Sequence, residues 1–394
     1  MKGLSYVLLC GSFVVTSSAL AGEVVSVDKK GSLAVAKLGS KDSALDYANA
    51  KPIPLPEASN RPSRSLPVTG GAADLAPKKS RVIPGGMGDG KETPVQLFTD
   101  KVGDQGMGMS LDSPGYGYEY SEDILPFSTS RVDIQKVKPA HPTQLSKSYP
   151  YSAAGKLFFK VDGDTYVCSA SLIRPGLVVT AAHCVAGFGE DRFYDNFEFI
   201  PAYYNGKAPY GKWTAEDVVV FSSYLQGTAN CIDGVVCDND IAVMQMKPAG
   251  KTYPGNKAGW YGIGVDGYSY LDGIVQITQL GYPVSHDQGK LMQRTDSVGI
   301  VDSDNIDNTY IGSRQTGGSS GGPWLVNFGQ VASLGQGINV GYDAWSNVVV
   351  GVTSWGWGNG NVYKAQGASP FTSDNILPLV DWFCPEGDTS KLCK

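Results

Sequence analysis

From about residue 150 onward the chain alternates short apolar runs with turns rich in Gly, Asn and Asp. The runs, dense in Val, Ile, Tyr and Phe, cover 156–161, 165–173, 177–180, 196–203, 217–224, 240–246, 274–282, 291–300, 323–327 and 347–354. Regularly spaced strands of this length predict an all-β sandwich or barrel. One stretch breaks the pattern. Over 375–383, Ile376, Leu377, Leu379, Val380 and Phe383 fall at near-helical spacing, with Ser373 as candidate N-cap and Pro378 weakening the prediction. No internal repeat is visible.

The first third reads differently. Lys2, the apolar stretch containing Leu8, Leu9, Phe13, Val14 and Val15, and Ala19-Leu20-Ala21 have the charge, length and small-residue cleavage site of a secretory signal over 1–21. The apolar run is short and broken by Gly11, Ser12 and Thr16–Ser18, which argues against a membrane anchor. No later segment is apolar enough to span a bilayer. Residues 51–90 hold seven prolines followed by Gly85-Gly86, a composition typical of linkers and extended segments. With no recurring compact apolar pattern, 22–131 reads as a pro-segment, loosely folded or wrapped on a main domain over 132–394. The alternative is a separate small binding module.

Charge narrows the partners. A formal net charge of -6 argues against nucleic acid, which usually calls for a basic excess. Of seven cysteines, Cys10 lies in the signal and six remain, an even number suited to an oxidising compartment. Six cysteines permit fifteen pairings. Local spacing favours Cys168–Cys184, Cys231–Cys237 and Cys384–Cys393, bridges of a kind worth about 2–4 kcal/mol each.

The strongest chemical signal is Gly317-Gly318-Ser319-Ser320-Gly321-Gly322-Pro323. A serine hydroxyl attacks only when a base takes its proton and donors hold the oxyanion that forms. Glycines beside the serine let the backbone turn tightly and aim N–H groups at one point. Of the three histidines, His141, His183 and His286, only His183 has a frame suited to a base. It sits in Thr180-Ala181-Ala182-His183-Cys184, directly after an apolar strand. Asp240, beside Ile241, can lie at the rim of the core and orient the imidazole. The sequence 318–322 also fits the Gly-x-Ser-x-Gly elbow of α/β-hydrolases, but those enzymes need a histidine after the serine and none follows Ser320.

These blocks, with Gly351-Val352-Thr353-Ser354-Trp355-Gly356, resemble the trypsin/chymotrypsin-like serine protease family over about 149–384. The resemblance implies a chymotrypsin-like fold: two six-stranded antiparallel β-barrels, with a C-terminal helix, preceded here by the pro-segment. It implies a triad of His183, Asp240 and Ser320 in the cleft between the barrels, and an oxyanion hole from the N–H groups of Gly318 and Ser320. Ser354, Trp355 and Gly356 would form the edge that pairs with substrate backbone. Tyr149–Ala153, Ala208–Gly211, Gly259–Gly262 and Gly281–Pro283 resemble the bacterial glutamyl-endopeptidase-like branch. Cleavage at Arg131-Val132 would give a similar mature start, and Ser80-Arg81-Val82 repeats that local pattern.

The chain also departs from the family. Ser319 stands where trypsin-like enzymes carry the acid that binds the new N-terminus, and Thr353 where glutamyl endopeptidases carry a histidine for acidic side chains. By count, Arg314 holds the position of trypsin's base-of-pocket acid. There it would disfavour basic P1 residues; the alternative is an arginine pointing to solvent. The expectation is a secreted serine endopeptidase, extracellular or periplasmic, made as a zymogen. Its partners would be protein or peptide substrates and its own pro-segment, with no nucleic acid and no membrane after signal removal. It would be a monomer needing no cofactor and no metal. The competing expectation is a protease-like binding protein without activity.

Overall fold

The structure, a computed structural model, describes residues 24–39, 44–59, 80–98, 125–132, 134–135, 143–232, 234–302, 307–329, 345–359 and 362–394. The expected signal at 1–21, Cys10 and His141 fall outside the described residues.

Two antiparallel barrels of six strands each form the body. The first comprises β1 (Ala154–Val161), β2 (Asp164–Leu172), β3 (Leu177–Thr180), β4 (Asp195–Pro201), β5 (Trp213–Phe221) and β6 (Ala242–Met246). Its strands run β5-β4-β1-β2-β3-β6 and close through β5 against β6, with Val219 opposite Val243. The second comprises β7 (Ile274–Gly281), β8 (Gln293–Asp302), β9 (Asn308–Gly312), β10 (Pro323–Val326), β11 (Val348–Asn359) and β12 (Val362–Pro370). It runs β10-β7-β8-β9-β12-β11 and closes through β10 against β11. Closure removes the open edges that a flat sheet would expose.

The expected strands in 150–354 are present with shifted ends, and the two barrels hold two further strands. β9 and β12 were not expected: Asn308-Thr-Tyr-Ile-Gly312 and Val362–Pro370 are largely small or polar. Their pairing with each other and with β8 and β11 holds them in the barrel. The run expected to end at Tyr224 instead turns at Phe221 into a short helix, Ser222–Leu225.

The C-terminal helix forms over Ile376–Phe383 and packs on β5 and β6. Its N-cap is Asn375, not Ser373: the Asn375 side chain accepts from the N–H groups of Ile376 (2.6 Å) and Thr372 (2.7 Å). Pro378 falls in the first turn, where backbone N–H groups have no helical acceptor, so it costs the helix little.

The described residues of 24–131 add strands to the sheets of both barrels, one of them with an apolar run at 33–36 that the sequence reading passed over. Val24–Lys30 and Leu33–Leu38 form a hairpin that extends β5, with Leu33 opposite Phe221 and Val35 opposite Val219. Leu33–Ala36 are buried there. Lys51–Pro52 lie parallel to β2, Arg81–Ile83 pair with Gly262–Val265, and Phe127–Arg131 pair with β8. Tyr47 covers the outside of β1, its ring edge-on to Phe158 at 5.2 Å and its hydroxyl donating to Glu198 Oε1 at 2.5 Å. The Arg131–Val132 bond ends a paired strand. Val132 N donates to Met292 O (2.9 Å), its side chain is buried, and the Arg131 guanidinium grips Asp287. Cutting there requires this stretch to peel from β8.

Candidate active site

The apolar strand β3 delivers the chain to a single 3₁₀ turn, Ala182–Cys184, which carries His183 out of the first barrel. Cys184 is bonded to Cys168 on β2, with Cα atoms 6.2 Å apart, so the turn is tied to the neighbouring strand. The other two expected bridges, Cys231–Cys237 and Cys384–Cys393, also form.

Asp240 precedes β6, which pairs with β3, and this register carries the carboxylate back to the histidine turn. Asp240 Oδ1 accepts from His183 N (2.9 Å), Oδ2 lies 2.8 Å from His183 Nδ1, and Ser354 Oγ donates to Oδ2 at 2.6 Å. The carboxylate is 2% exposed. Burial pushes its pKa up, but the imidazole and the hydrogen bonds from His183 and Ser354 outweigh that, and it stays ionised below its ordinary range. This leaves Nε2 of His183 as the nitrogen free to exchange a proton.

Ser320 sits on the turn that leads into β10 of the second barrel. The glycines are required by geometry. Gly318 and Gly321 have φ of +94° and +74°, a region that strains any residue with a Cβ. A Cβ on Gly321 would lie 1.9 Å from Thr180 Oγ1. The turn is held from both barrels: Ser169 N donates to Ser320 O (2.8 Å), Ser169 Oγ to Gly318 O (2.8 Å), and Gly321 N to Thr353 O (2.8 Å). Ser169 follows Cys168 and Thr353 precedes Ser354, so these bonds bring the serine turn against the histidine–aspartate pair. The N–H groups of Gly318 and Ser320 take no part in the backbone hydrogen bonds around them. Ser320 Oγ and His183 Nε2 are both buried without a hydrogen-bond partner.

The remaining expected residues divide. Ser354 and Trp355 are fully buried, Trp355 donating to Asn308 Oδ1 (2.9 Å), while Gly356 presents its backbone. Arg314 is exposed, and its buried neighbours Ser313 and Gln315 turn inward instead. Its side chain is thus open to solvent, as in the solvent-pointing alternative. His286 is half-buried and bonded to its neighbour Ser285, apart from the Asp240 group.

Several site residues escaped the sequence reading. Ser169 is one. A buried amide cluster is another: Gln279 Nε2 donates to Thr353 Oγ1 (2.8 Å), Gln366 Nε2 donates to Ser319 Oγ (3.0 Å), and Ser313 Oγ bridges Gln279 and Gln366. This cluster accounts for both departures noted in the sequence. The Ser319 hydroxyl is satisfied by Thr316 O and Gln366, and Thr353 serves the core beneath β11. Only Cys168 beside Ser169 carried a sequence signal. The glutamines lie on strands of unremarkable composition. Cys168, His183 and Cys184 lie close enough to suggest a metal site, but the two cysteines are bonded to each other.

Residues 143–377 match the model of the family described as Trypsin. No curated protein matches the chain. Among solved structures, the chain is similar to the protease Anisep from Arthrobacter nicotinovorans, at 26% identity and TM-score 0.45 over 56% of this chain and 91% of that one. It is similar to the thermostable serine protease AL20 from an extremophilic microorganism, at 23% identity and TM-score 0.45 over 56% and 92%. A Glu endopeptidase in complex with MPD is similar at 20% identity and TM-score 0.44 over 64% and 95%.

Proposed function

Because the chain belongs to the trypsin family of serine proteases, we propose that it is a secreted endopeptidase working through Ser320, His183 and Asp240. We further propose that it is made as a zymogen with 22–131 as its pro-segment. The observation that carries this reading is the saturated Asp240 carboxylate, bonded to His183 N, His183 Nδ1 and Ser354 Oγ beside a glycine-framed serine.

In this mechanism His183 Nε2 takes the Ser320 hydroxyl proton as Oγ bonds to the scissile carbonyl carbon. The carbonyl oxygen becomes an oxyanion, received by the N–H groups of Gly318 and Ser320; one such donor is worth roughly 3–4 kcal/mol of barrier. His183 then gives its proton to the departing amine as the C–N bond breaks, leaving an ester on Ser320. Water gives a proton to Nε2 as its oxygen bonds to the ester carbon; the ester C–O bond then breaks, Ser320 Oγ takes that proton back from His183, and the released carboxylic acid gives its own proton to solvent. Asp240 holds the imidazole in the required tautomer and stabilises its charged form without itself being protonated. The three disulfides and the family support an extracellular or periplasmic setting.

The test is digestion of casein and a peptide library by the secreted, processed protein, with cut sites read by mass spectrometry. Cutting by the wild type and none by Ser320→Ala is expected. Absence of cutting by both would sink the endopeptidase reading and favour a protease-like binding protein.

A further inference from the structure

The cleft is occupied by the chain's own N-terminal segment. Ile53 N donates to Val167 O (3.1 Å) on β2 of the first barrel. The segment then crosses the nucleophile turn so closely that a Cβ on Gly317 would meet Ile53 O at 2.9 Å. It reaches β11 of the second barrel, where Gly356 N donates to Pro56 O (2.8 Å) and Ala58 N donates to Gly356 O (2.9 Å). Glu57 thus faces Gly356 in a parallel bridge, and Lys51–Pro52 are parallel to β2 at the other end. Ile53, Leu55 and Ala58 are 8%, 6% and 3% exposed, and Ala58 packs in the cluster that contains Trp355.

Two features distinguish this strap from a peptide poised for cutting. No backbone carbonyl of 51–58 accepts from the N–H groups of Gly318 or Ser320, so no peptide bond of the strap is presented to the nucleophile. Ser320 Oγ and His183 Nε2 are nonetheless buried and left unpaired. A chain parallel to β11 also points its amides opposite to one lying antiparallel on the same edge, so a strap in one sense displaces a substrate in the other without mimicking it.

We propose that Ile53–Ala58 is an intramolecular inhibitor that fills the substrate groove in the parallel sense and is not cut there, so that the groove accepts extended apolar, proline-spaced peptides as inhibitors and antiparallel peptides as substrates. This rests on the protease reading above. Tethering supplies a high effective concentration, which lets a strap with few contacts hold the groove until the segment is released.

The full-length chain is incubated with a fluorophosphonate, and labelling is followed on the intact-chain band alone, beside the processed protein. Leu55→Asp and Ala58→Arg are compared with wild type, and retained disulfides and secretion yield report folding. The intact wild-type band is expected to label at least about tenfold more slowly than either variant's intact band. In parallel, full-length Ser320→Ala is given to processed wild-type protein and its fragments are mapped; cuts outside 52–58 are expected. Equal labelling of all intact bands, or cuts within 52–58 while the segment is still attached, would overturn the proposal. If the processed wild type itself never labels, the failure belongs to the protease reading instead.

Discussion

The first barrel brings to the cleft a carboxylate whose oxygens are both paired and an imidazole held at Nδ1 with Nε2 unpaired, whereas the second brings a serine whose hydroxyl has no partner. Asp240 is saturated by His183 and Ser354, and a disulfide ties the histidine turn to β2. Across the cleft the backbone of the Ser320 turn is fixed by Ser169 and Thr353, yet Oγ has no partner, and Gly317 of the same turn lies against Ile53. The contrast teaches that the acid–base half is preassembled in the full-length chain. On the reading proposed above, the nucleophile half needs only the groove to be vacated, rather than a new fold.

The sharpest way to break this comparison is through Asp240. Asp240→Asn keeps the shape but loses the charge and the tautomer control, so turnover of the processed protein should fall about 10³–10⁴-fold with secretion retained. A loss under tenfold, measured as kcat/KM on a peptide substrate, would mean that the pairing has no catalytic purpose.

The disulfides offer a second test. Removing Cys168–Cys184 by paired Ala substitutions should lower unfolding free energy by about 2–4 kcal/mol and also depress turnover, because the bridge holds the histidine turn. Removing Cys384–Cys393 in the same way should lower stability to a similar degree and leave turnover nearly intact. Urea unfolding alongside peptide hydrolysis separates the two outcomes.

Ser354→Ala makes the smallest expected change. It deletes one hydrogen bond to a buried carboxylate, a loss of roughly 1.5–3 kcal/mol. The pH dependence carries a sign. Asp240's pKa is lowered in the folded state, so its contribution is present above the unfolded value of about 3.9 and is lost as pH falls through the folded value. Removing the Ser354 hydroxyl raises the folded pKa, so the acid-unfolding midpoint should move to higher pH. An unchanged midpoint by circular dichroism would contradict the assigned role of that bond.

The legibility of the strands, though not of every site residue, followed the same divide. The first barrel's strands are dense in β-branched and aromatic residues, and the Thr180–Cys184 block announced the histidine turn. The second barrel hid β9 and β12, because a strand that mixes one or two apolar residues with small and polar ones owes its place to partners rather than to its own pattern. The glycines around Ser320 were legible because positive φ leaves a strong residue preference. Ser169 and Gln366 were not, since a buried hydrogen bond between distant strands leaves no local trace. In the N-terminal third, attention to the prolines after residue 51 passed over a hairpin upstream of them: the apolar run Leu33–Ala36 follows a turn at Gly31, whose φ is +62°.

Mass spectrometry of the fluorophosphonate-treated, processed protein tests the central assignment most directly. One adduct on Ser320, absent when the protein is Ser320→Ala or His183→Ala, is the predicted result. Folded, processed protein that carries no adduct, or carries it on another residue, would contradict the account.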